Sequence, residues 1–138
     1  MTTHADIIAE ARTWLGTPWH HQGRAKGVGC DCIGLVIGVG RALGLVAVDA
    51  GGYGRQPDGR SLRAGFERHA VALPLDRLQP GDVLMMRIRR DPQHVGILGP
   101  GGTLIHAHSG AGRVVEIPLD DRWRDRIVAA FAYPGLAD

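Results

Sequence analysis

Apolar residues at Ile7, Ile8, Ala11, Trp14 and Leu15 recur at helical spacing, which predicts an amphipathic helix from about Thr3 to Leu15 with Thr3 and Asp6 as a capping box. Gly16 and Pro18 stop it. The next stretch, TPWHHQGRAKGVG, has one proline, three glycines and no periodicity, so it reads as a surface loop whose polar and aromatic residues can face a ligand. From Cys32 the string CIGLVIGVGRALG is apolar almost all round and broken only by Arg41, the pattern of a buried helix capped by Asp31 or Cys32 and ended by Gly44. Gly34 and Gly38 leave room there for another backbone to approach. AGGYGRQPDGR is again loop, and a short helix from Ser61 turns Leu62 and Phe66 inward. After Pro80 the period changes. DVLMMRI, HVGIL, TLIHAH, RVVEIP and IVAAFAY, separated by turn signals, predict a meander of five antiparallel strands. Helices first and strands after give an α+β fold class, with N-terminal helices packed on a five- to six-stranded antiparallel sheet.

The chain's 138 residues are one domain's worth, 1–138, and the break at 73–80 is a seam within it. With 44% apolar and 22% charged residues it can bury a core of its own. A net charge of +2 without any cationic stretch gives no surface for nucleic acid. No run approaches the roughly 18 apolar residues of a membrane span, so membrane insertion is not expected. MTTHADIIAEAR lacks the basic start and apolar run of a secretion signal, and synthesis in the cytoplasm without that export route is the expectation. Cys30 and Cys32 are too close for a comfortable bridge and too few for a thiolate zinc site. No cofactor and no metal are implied.

The candidate chemistry starts at Cys32. A thiol at a helix N-terminus meets a positive dipole and unpaired N–H groups, and these together with a nearby imidazolium can lower its pKa enough to populate thiolate at neutral pH. His94 opens a strand, and Gly96, two residues on along the same face, leaves space for an approaching substrate. In TLIHAH, Leu104, His106 and His108 share a face, so either histidine can lie beside His94 and hold its second ring nitrogen. A cysteine nucleophile with a histidine base and an orienting partner is the natural reading. Cys30 reads as a small apolar residue.

These residues resemble a family. G16-T-P-W-H-H-Q-G23, D31-C-I-G-L-V36, L78-Q-P-G-D-V83, H94-V-G-I97 and I105-H-A107, in that order and with twelve residues from His94 to His106, look like the NlpC/P60 cysteine peptidases of the papain-like superfold. The resemblance implies a Cys-His-His triad of Cys32 as nucleophile, His94 as base and His106 as orienter. It also implies cleavage of the γ-D-glutamyl to diamino-acid bond in cell-wall stem peptides. Asp31 matches the family's acid, and with Trp19 and His21 it is a candidate for substrate binding. Where many members carry Ser and Tyr to hold the substrate's free amine, this chain has Ile33, which offers no hydrogen bond, and Trp19, with an indole donor alone.

The loop and nucleophile motifs are most similar to single-domain versions carried by tailed phages and gene transfer agents. Tail or baseplate proteins are then the expected partners, the particle tail the expected location, and the recipient's periplasm the place of action. The long, glycine-rich loop from Asp49 to Arg60 is the candidate docking surface. A structural tail component with a retained peptidase fold is the alternative function. A metal hydrolase using His94, His106, His108 and Cys32 ranks behind both, since no HExxH or C-x-x-C spacing supports it.

Overall fold

A computed structural model describes residues 1–45, 59–88 and 92–138. Helix α1 (His4–Arg12) begins at the expected capping box: Thr3 Oγ1 accepts from the Asp6 N–H, and the Asp6 carboxylate accepts from the Thr3 N–H. Its Ile7, Ile8 and Ala11 are buried, as is Trp14 just beyond the last turn. The stretch read as plain loop holds a minimal hairpin, β1 (Arg24–Ala25) against β2 (Gly29–Cys30), turned at Gly27 with φ 76°. Two-residue strands are too short to show alternation, which is why the pattern hides them.

Helix α2 (Cys32–Ala42) is capped by Asp31 and buried on nearly every side, which accounts for its all-round apolar composition. Gly34 does admit a backbone: a Cβ there would lie 2.0 Å from the Gly23 carbonyl oxygen. Gly38 instead makes room for the Trp14 indole, 2.3 Å from where its Cβ would be. Helix α3 (Gly59–His69) follows, then strands β3 (Val71–Leu73), β4 (Val83–Arg87), β5 (Pro92–Gly99), β6 (Thr103–His108) and β7 (Arg113–Pro118). A single-turn helix, α4 (Asp121–Arg124), leads into β8 (Ile127–Ala132). The predicted docking stretch at 49–60 lies, up to residue 58, outside the described residues.

The five expected strands all form, but they are not a meander. The main sheet runs β3-β8-β4-β5-β6-β7, antiparallel throughout, with the last strand returning between the short edge strand β3 and β4. Strand patterning specifies which face each residue takes and leaves neighbour choice to packing: Phe131 of β8 sits opposite Val83 and stacks at 5.4 Å on Phe66 of α3. One face of the sheet, with Val83, Met85, Val95, Ile97, Ile105 and Phe131, packs under α1 and α2. The other carries Leu84, Met86, Leu104 and Ala130 beneath Leu119 and Trp123.

A buried polar contact ties the ends of this core together. His4 Nε2 pairs with Asp82 Oδ1 at the head of β4, and His4 Nδ1 pairs with Asp138, both at 2.9 Å. Among the described residues no helix is long and apolar enough to cross a membrane.

Candidate active site

The site forms where the ladder between β5 and β6 stops. Their pairing covers Ile97 to Gly99 against Thr103 to Ile105 and goes no further toward His94. Leu98 exchanges bonds with the β4 side, its N–H reaching Asp82 O and its C=O accepting from Gly81, so the alternation of an antiparallel strand turns the N–H groups of Val95 and Ile97 toward β6. Val95 therefore faces a notch near the buried Cys32 thiol, whose pKa the main-chain N–H groups of Val95, Ile33 and Cys32 itself act to lower. The nucleophile candidate thus rests against the peptide that follows His94.

On the sheet face shared with Met86, His94 Nε2 and His106 Nδ1 meet at 2.7 Å, both side chains buried. This bond leaves His94 Nδ1, the nitrogen nearer its own main chain, outside the histidine pair. Gly96 makes the bond possible in a way the sequence does not show. A Cβ there would lie 2.7 Å from Leu104 Cδ1 and 3.1 Å from His106 Cβ, so the vacancy read as space for substrate is filled by the neighbouring strand. His108 stacks on His106 at 5.2 Å and 16° without taking its place.

Trp123 completes the cluster, and pattern reading passes over it. Its indole stands perpendicular to His106, with ring centroids 5.0 Å apart, and lies 5.5 Å from His108 and 5.9 Å from His94. The Asp120 side chain caps α4 by accepting from the Trp123 N–H, and the Arg126 guanidinium lies 4.9 Å over the indole. Within DDRWRDR a lone tryptophan reads as a surface turn, and no local signal marks it as facing the histidines.

Electrostatics set the resting protonation. Burial pushes the Cys32 thiol up to about 12, against the three N–H groups that lower it, and the neighbouring Asp31 charge adds to the rise. The sequence-based expectation of a thiol lowered by its helix end is therefore reversed, because removal from water outweighs the dipole. His94 is held well below the ordinary histidine value, first by burial and then by His106, His108 and Arg126. His106 is pushed down to about 3 by burial and by His108. Burial thus favours a neutral thiol at Cys32 and a neutral imidazole at His94.

Asp31 serves the scaffold. Its Oδ1 accepts from the Gly34 N–H at 2.8 Å and from Arg24 Nη1 at 3.2 Å, and its Oδ2 accepts from the Gln22 N–H at 2.8 Å. Trp19 packs half-buried on the core, with its N–H on Gly112 O. His21 is half-buried, its Nε2 3.4 Å from the Gln22 amide. Cys30 is fully buried, and burial pushes its thiol too up to about 12. Among the described residues no group of three or more His, Cys, Asp or Glu side chains is arranged to hold a metal ion.

A cysteine at the start of a buried helix, set against a histidine-bearing strand of an antiparallel sheet, defines the class of α+β domain to which the papain-like cysteine peptidases belong. Within that class the chain belongs to the NlpC/P60 family, whose model matches residues 16–132. It is similar to the NlpC/p60 domain of the peptidoglycan hydrolase SagA, at 25% identity over 95% of this chain and 99% of that one, with a TM-score of 0.69. An NlpC/P60 family protein from Bacillus cereus superposes with a TM-score of 0.73 at 24% identity, covering 95% of this chain and 40% of that one. The peptidoglycan hydrolase RipB from Mycobacterium tuberculosis gives 0.64 at 21% identity, over 94% and 63%. The chain therefore spans the whole of the first of these and well under half of the second. No curated protein shows significant sequence similarity to it.

Proposed function

We propose that the chain is a cysteine peptidase that hydrolyses peptidoglycan stem peptides. The observation that carries this is the buried 2.7 Å bond between His94 and His106, on the strand whose next main-chain N–H acts to lower the Cys32 pKa. Membership of the NlpC/P60 family and the likeness to the SagA domain supply the substrate class. In this reading the neutral His94 takes the thiol proton through Nδ1 as the sulfur attacks the scissile carbonyl. His106 holds the imidazolium that forms, and the N–H groups around the sulfur stabilise the oxyanion. His94 then protonates the leaving amine, and water resolves the thioester.

The bond proposed is γ-D-glutamyl to diamino acid, with Asp31, Trp19 and His21 flanking the substrate. A substrate ammonium at Asp31 has to compete with Arg24, which already pairs with that carboxylate. The same reading places the protein, made in the cytoplasm, in a phage-like particle tail beside tail or baseplate proteins, acting in the recipient's periplasm. The alternative, a peptidase fold kept as a structural tail component, is favoured by the burial that keeps the thiol protonated. Incubation with purified stem peptides followed by mass spectrometry separates the two. New products that vanish with Cys32→Ser support the peptidase. Intact peptides throughout overturn it.

A further inference from the structure

Among the described residues, the buried Nε2 of His106 has no hydrogen-bond partner. Such a group costs free energy, and in a histidine it also leaves the tautomer open. The tautomer matters here because His106 Nδ1 and His94 Nε2 share one proton across their 2.7 Å bond. If His106 carries its proton on Nδ1, it donates to His94, whose remaining proton then sits on Nδ1 and points the wrong way for a base. If His106 carries its proton on Nε2, its Nδ1 accepts from His94 Nε2–H, and His94 Nδ1 offers a lone pair to the thiol.

Trp123 is the group that can decide between these forms. His106 is fully buried, and the half-exposed Trp123 indole lies against it, with ring centroids 5.0 Å apart. The two rings are perpendicular, at 88° and 5.0 Å, a T-shaped contact with room for the His106 Nε2–H to meet the indole face. A π-face is negative: it attracts an N–H and repels a lone pair. Arg126 over the indole and the Asp120 cap hold Trp123 in place. We infer that Trp123 is a positioning residue, which excludes water from His106 Nε2 and holds His106 in the Nε2–H tautomer, thereby setting His94 to receive a proton at Nδ1. This rests on the peptidase reading for its purpose, though not for its measurement. Among the described residues, the other titratable or charged groups near His106 and Trp123 are His94 on β5, His108 on β6 and Arg126 before β8.

Nuclear magnetic resonance of labelled imidazole nitrogens in the full chain reads the tautomer directly, between about pH 5 and 8, where a histidine ordinarily titrates. The wild type is expected to show His106 as a single Nε2–H form that does not titrate in this range. Trp123→Leu, which removes the π-face, is expected to mix the tautomers and bring His106 into the titrating range, whereas Trp123→Phe is expected to restore the wild-type pattern. An Nδ1–H form in the wild type overturns the inference whatever the variants do. So does a folded Trp123→Leu with an unchanged spectrum, or a Trp123→Phe that behaves like Trp123→Leu. Stem-peptide hydrolysis is scored separately: a wild type with the expected tautomer and no hydrolysis sinks the peptidase reading and leaves the role of Trp123 standing.

Discussion

One substitution, made in two helices, is expected to move stability in opposite directions. Gly65 lies within α3 with nothing within 4 Å of where a Cβ would stand, so Gly65→Ala meets no obstacle. It removes the extra freedom of glycine in the unfolded chain, a stabilisation of about 0.4–1 kcal/mol. Gly34 in the first turn of α2 offers the same gain, but its Cβ would fall 2.0 Å from Gly23 O and 3.2 Å from Asp31 Oδ1. The first of these is main chain, held by Gly23's place before β1, and cannot swing aside. Overpacking of this kind costs about 1–3 kcal/mol, and prying Asp31 from the Gly34 N–H adds about 0.5–2 kcal/mol of lost cap. The clash wins, leaving Gly34→Ala about 1–4 kcal/mol less stable than wild type. At about 3 °C per kcal/mol for a chain of this length, thermal unfolding followed by circular dichroism should show Gly65→Ala melting a few degrees higher and Gly34→Ala up to about 12 °C lower. A Gly34→Ala protein at or above the wild-type midpoint would refute the close approach of the 16–30 segment to the start of α2.

Cys32→Ser is expected to abolish stem-peptide hydrolysis in a folded protein, a loss exceeding about 10⁴-fold, while Cys30→Ser retains activity; purified variants in the mass-spectrometric assay decide it. Alkylation of Cys32 by iodoacetamide should be slow at pH 7 and rise about tenfold per pH unit toward the thiol's value of about 12, since only thiolate reacts; rapid alkylation at pH 6–7 would show an ion pair with His94 instead. Burial alone would lower the His4 pKa, but hydrogen bonds to Asp138 and Asp82 outweigh it and raise the pKa above 6.5. The stability that His4 contributes is thus complete below about pH 6.5 and lost as pH rises through the folded value, and the melting difference between wild type and His4→Gln should shrink from pH 6 to pH 9.

The sequence is legible wherever a signal is local. Thr3 with Asp6, Asp31 before an apolar run, the short apolar run of VLMMR and the strand-forming TLIHAH each mark an element by chemistry contained within a few residues. The adjacency of His94 and His106 follows from parity on neighbouring strands once those strands pair. What is not legible depends on the chain meeting itself at a distance. The return of β8 between β3 and β4 is chosen by Phe131 against Val83 and Phe66, residues remote in sequence. Trp123 faces the histidines only because α4 is capped at Asp120 and docked by Leu119 on Gly102. The ionisation of Cys32 follows the same division, its helix-end placement being written in Asp31-Cys32 and its desolvation set by the notch at Val95.

The notch around Cys32 has a chemical side effect. Peroxides and disulfides are attacked by thiolate, and at neutral pH a thiol raised to about 12 presents very little of it. Such a thiol is a poor entrant to the route from sulfenic to sulfonic acid that disables exposed low-pKa nucleophiles, and Cys30, also buried and also raised, is no ready resolving partner two residues away. In the proposed peptidase, a thiol held this way keeps its reactivity in reduced form until a substrate enters the notch and His94 takes the proton.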